Sequence, residues 1–78
     1  METKDYDRVK ELRSVLILLL SGLGMSRTRI MLTMAIIVAY QIEEEMLRWI
    51  ASYKGKEDAL TAQAFMSKLN ELTDNNND

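Results

Sequence analysis

The residues best placed to do chemistry are three consecutive carboxylates, Glu43-Glu44-Glu45, and two arginines, Arg27 and Arg29. There is no histidine and no cysteine. That removes the commonest general base, the strongest nucleophile, disulfides and any zinc site built on Cys or His. The three glutamates share a predicted helix, where consecutive side chains splay by about 100° and do not converge on one ion or bond. Their expected role is a solvated acidic face. Gly22-Leu23-Gly24 lacks the third glycine and the preceding strand of a phosphate-cradling loop. Met31, Met34, Met46 and Met66 read as adaptable core residues, and Trp49 and Tyr53 as packing partners one turn apart. We expect no catalytic residue, no cofactor, no metal ligand and no small-molecule substrate: the chain is not read as an enzyme.

The elements that carry these residues are helical. Proline is absent and glycine occurs three times, at Gly22, Gly24 and Gly55. Tyr6, Val9, Leu12, Leu16 and Leu19 recur at helical spacing, predicting a first helix over about 4–20. Asp5, Arg8, Lys10, Glu11 and Arg13 lie on its polar face, and Val15 to Leu20 is a continuous apolar run. Gly22 is the expected closing residue. Ser26 is a good N-cap, with Met25 and Ile30 placed to staple around it. A second helix is predicted over 27–53, about 40 Å long. Its first part, Ile30 to Tyr40, is interrupted only by Thr33. Its second part carries the ordinary stripe Ile42, Met46, Trp49, Ile50 and Tyr53. Gly55 ends it. A shorter third helix is predicted within 58–73, with Thr61 the better cap because Leu60 and Phe65 flank it. Residues 74–78 read as a polar tail. The fold class is therefore all-α: one domain over 1–73, a helical hairpin plus a third helix.

The length of 78 residues makes a lone core marginal. A helix apolar on all sides is normally buried on all sides. With the first two helices antiparallel, Val15–Leu20 and Ile30–Tyr40 lie together near the connector, beyond the reach of the short third helix. A contiguous apolar patch there marks a contact site, most simply covered by a second copy. The expected dimer interface is Leu16, Leu19, Leu20, Ile30, Met34, Ile37 and Val38. The expected role is a protein–protein interaction or oligomerisation module.

Two other readings use the same segment. The run from Leu18 to Arg29 faintly echoes a helix-turn-helix, with Arg27 and Arg29 placed for phosphates at a helix N-terminus. Against it, the helix turns wholly apolar at Ile30, and the formal charge is −2, without a basic stripe. Residues 1–29 carry six basic and four acidic side chains, residues 30–78 four and eight. The second is a membrane hairpin. Ser14–Ser26 and Ile30–Ile42 are charge-free but fall short of the ~20 residues a spanning helix needs, and each intervening arginine costs about 2.5 kcal/mol or more in the bilayer. The first apolar run lies behind a charged segment, unlike a secretory signal. The expected location is the cytoplasm.

Overall fold

Glycine closes the first helix, but Gly24 does so rather than Gly22. The computed structural model describes residues 3–75. In it α1 spans Thr3–Gly22, and Gly24 takes φ 87°. The Gly24 N–H donates to the Ser21 carbonyl at 3.0 Å, and the Met25 N–H to the Leu20 carbonyl at 3.3 Å. This pair of bonds is a Schellman closure. It folds Met25 back toward Leu20, and both are buried. Ser26 opens α2, Arg27–Tyr40, its Oγ accepting the Arg29 N–H at 3.3 Å. Met25 and Ile30 both join the core, so the anticipated staple forms.

The single helix expected over 27–53 is two helices. α2 stops at Tyr40, and α3 spans Glu43–Ala51. Between them Gln41 lies in the left-handed region at φ 55°, ψ 45°. The corner repeats the hydrogen bonds of the first. The Gln41 N–H donates to the Val38 carbonyl at 3.1 Å, and the Ile42 N–H to the Ile37 carbonyl at 3.2 Å. A non-glycine residue there costs roughly 1–2 kcal/mol. Burial offsets it: Ile42 and Ile37, joined across the corner, are both inside. The physical reason for the turn is length. α1, with 20 residues, is about 30 Å long, too short to cover a 40 Å partner. By turning, α3 brings Ile42 and Met46 into the core.

α3 then returns along α1. Its start pairs with Arg13 and Arg8. Its end, Ile50 to Lys54, shares a groove with Leu18, Leu19, Gly22 and Leu23 of α1. Gly55, at φ 84°, turns the connector, and a single 3-10 turn, Glu57–Ala59, leads to α4, Ala62–Asn75. Thr61 caps α4, its Oγ1 accepting the Ala64 N–H at 3.0 Å. Leu60 and Phe65 on either side are buried. α4 runs back along α3, with Phe65 edge-on to Trp49 at 6.1 Å.

The described residues thus form four α-helices and no strand, rather than three helices. Leu16, Leu20, Ile37, Met46, Phe65 and Leu69 are the fully buried side chains of one core. α4 continues through Asn75, two residues into the tail expected over 74–78. Residues 1, 2 and 76–78 lie outside what is described, as do the side chains of Asp5 and Tyr6.

Candidate self-association surface

The acidic trio is divided among different partners, as its helical splay requires. Glu43 Oε2 accepts the Arg13 Nε–H at 3.0 Å. Glu44 Oε1 lies 2.8 Å from Arg8 Nη2. Glu45 is exposed. The expectation of a solvated face therefore fails at Glu43, which is 7% exposed. All three sit in the first turn of a helix whose N-cap, Ile42, supplies no side-chain bond. Negative charge there offsets the missing cap through the helix dipole. Arg8 stays on the exposed face expected for it, whereas Arg13 is half-buried. Glu57 is held below the usual glutamate range, first because its carboxylate accepts the Gly55 N–H, at 3.0 Å, and then its own backbone N–H.

The expected interface residues separate into two groups. Leu16, Leu20, Met34 and Ile37 are buried in the chain's own core, because α3 and α4 fold back over the side they occupy. Leu19, Ile30 and Val38 are partly buried. The apolar surface left open is carried by other residues. On α1 these are Val15, Ile17 and Leu18, and on α2 they are Met31, Leu32 and Ile36. Leu18 is 73% exposed, Met31 67% and Leu32 63%. Ala35 and Ala39 are exposed beside them. At 100° per residue, Thr28, Met31, Leu32, Ala35, Ile36 and Ala39 share one side of α2, and Ile30, Thr33, Met34 and Ile37 the opposite side. The outward side has no charge over three turns.

Thr33 inverts the usual arrangement. The one polar residue of the apolar run faces inward, buried, with its Oγ1 3.9 Å from the Met66 Sδ of α4. The leucine and methionine before it face out. Sequence periodicity missed this because an all-apolar helix offers no polar stripe to mark its outer side. The available signal was size: Thr28, Ala35 and Ala39 are small and fall on one side. A groove between α1 and α2 adjoins this face, lined by Ile17, Met25, Ile30, Met31 and Met34 together with Ser21 and Arg27.

Arg27, Thr28 and Arg29 are exposed at the start of α2. Past them the outward face offers no hydrogen-bonding side chain. Among the described residues no helix is long and apolar enough to cross a membrane. Comparisons with protein-family models, with curated proteins and with solved structures find no match for this chain.

Proposed function

We propose that this protein is a non-enzymatic helical module that associates with a second copy of itself through the outward face of α2 and the adjoining residues of α1. The observation that carries the reading is the exposure of Met31, Leu32 and Ile36 on a charge-free stripe, with Ile17 of α1 beside Met31 in the adjoining groove. Isolated exposed hydrophobes are ordinary, whereas contiguous ones mark contact surfaces. An isologous two-fold contact would cover this face with the same patch from the partner.

The test is the solution mass at micromolar concentration. Light scattering is expected to give about twice 9.0 kDa; a clean monomer overturns the reading. Leu32→Glu is expected to yield a folded monomer, because the side chain it replaces is exposed. A dimer that survives Leu32→Glu puts the contact elsewhere. Ile37→Glu is no test, since a charge at a fully buried site unfolds the chain. The nucleic-acid alternative has less support: a basic cluster limited to Arg27 and Arg29 on an acidic chain. Salt-sensitive duplex binding, lost when both arginines are replaced, would favour it.

A further inference from the structure

Between residues 14 and 42 the chain carries two charged side chains, Arg27 and Arg29, and both are positive. They stand at the start of α2, beside the connector from α1. The two point different ways, because positions two apart on a helix are turned by about 200°. Of the pair, Arg27 lines the groove between α1 and α2. Ile17 and Ser21 form the α1 wall of that groove, and Met31 stands with Arg27 on the α2 wall. Met25 and Met34, both buried, lie deeper between them.

The groove has the make-up of a ligand site. Its volume is about 760 Å³, within the range of small-molecule sites, which are mostly apolar with a few polar groups that fix orientation. Here the polar groups gather at one end. Ser21 is the last lining residue of α1 and Arg27 the first of α2, and both adjoin the connector. From Arg27 to Met34 the lining runs about 10 Å along α2 at about 1.5 Å per residue. Three of the six methionines lie in it, and their unbranched side chains re-pack readily around a flexible occupant. The charge has one sign. α2 has no acidic residue in its first turn, and among the described residues Arg27 belongs to none of the ion pairs. The positive end of the α2 dipole adds to the arginine at the same place.

We infer that this groove binds a free single-chain amphiphile with an anionic head, of the medium-chain carboxylate class. The head lies at the connector end, where the Arg27 guanidinium and the Ser21 hydroxyl donate hydrogen bonds to it. The tail lies along Ile17, Met31 and Met34, which it removes from water. A neutral head forgoes the charge-assisted bond, and a cationic one is repelled. The molecule is held as a ligand and not as a substrate, because the lining supplies no base to activate the Ser21 hydroxyl. A bilayer surface fits less well: Met25 and Met34 are buried between the helices, where one slender chain reaches and a flat surface does not. The inference goes beyond self-association and does not require it, since one chain supplies the whole groove.

The methionine methyl resonances give a direct test. Decanoate is the probe and decanol the control, both below the concentrations at which they aggregate. They are titrated into the unsubstituted chain and into Leu32→Glu. Saturable shifts are expected at Met25, Met31 and Met34 in both proteins, and none at Met46 or Met66, which lie outside the groove. Decanol is expected to bind about tenfold more weakly or worse. Arg27→Gln is expected to weaken decanoate to the level of decanol, whereas Arg29→Gln leaves it unchanged. Saturable decanoate binding by a protein of monomer mass supports the groove and overturns only self-association. Equal affinity for decanoate and decanol overturns the inference, as do shifts that spread to Met46 and Met66, or equal losses from the two arginine variants. Binding to phosphatidylglycerol vesicles, with decanoate leaving the three methyls unmoved, overturns it in favour of a bilayer surface.

Discussion

At the scale of single residues, Glu43 and Glu44 differ only by position, and position decides their worth. Glu43 is buried against a half-exposed Arg13; Glu44 meets Arg8 in the open, where the two side chains are 49% and 67% exposed. Removing Arg13 leaves a buried carboxylate without its partner. Arg13→Ala is expected to lower stability by about 1–3 kcal/mol, and Arg8→Ala by less than about 1 kcal/mol. Chemical denaturation of the two variants side by side checks the order. Glu57 provides the titration. Its folded carboxyl lies below its unfolded value, so its bond to Gly55 contributes above the unfolded pKa. The contribution is lost as pH falls through the lower, folded pKa. The Gly55 amide resonance is expected to shift on acidification, with a midpoint below that of an ordinary glutamate, and Glu57→Gln should abolish the step.

At the scale of elements, the starts of α2 and α4 were legible, whereas the end of α2 and the start of α3 were not. Ser26 and Thr61 both carry caps read from residue type and from the hydrophobes around them. Gly55 turns the chain as its type suggested, while Gly24 replaces Gly22 because the Schellman bonds place the left-handed residue two positions later. Gln41 had no such signature. Glutamine is an ordinary helix former, and the corner exists because Ile37 and Ile42 close over it in the core. A β-branched residue there would suffer more. Gln41→Val is expected to destabilise the four-helix form by about 1–2 kcal/mol without loss of helix content elsewhere, read by thermal melts followed by circular dichroism.

At the scale of the whole molecule, the core is small. Among the described residues ten buried hydrophobic side chains hold the helices together, and a chain of this length is stable by roughly 4–12 kcal/mol. A second copy would add to that through mass action. The melting temperature is therefore expected to rise with protein concentration over the micromolar range, and to become concentration-independent in Leu32→Glu. A concentration-independent melt of the unsubstituted chain would speak for a self-sufficient monomer. The surplus apolar surface was legible as a property of the region. Its address was not: Leu16, Leu20 and Ile37 are covered by the chain itself, and Leu18, Met31 and Leu32 are left outside.

What the sequence by itself determined is the all-helical class, most caps and turns, the absence of thiol and imidazole chemistry, and an excess of apolar residues around Val15–Leu20 and Ile30–Tyr40. Those follow from local propensity and composition, which act over one or two turns. Only the tertiary structure decided that α2 and α3 part at Gln41, that Glu43 is buried on Arg13, and which side of α2 faces out. A helix apolar on every side carries no local instruction about its orientation. The choice falls to whichever side α1 and α4 can fill best, and here that is the side bearing Thr33, Met34 and Ile37.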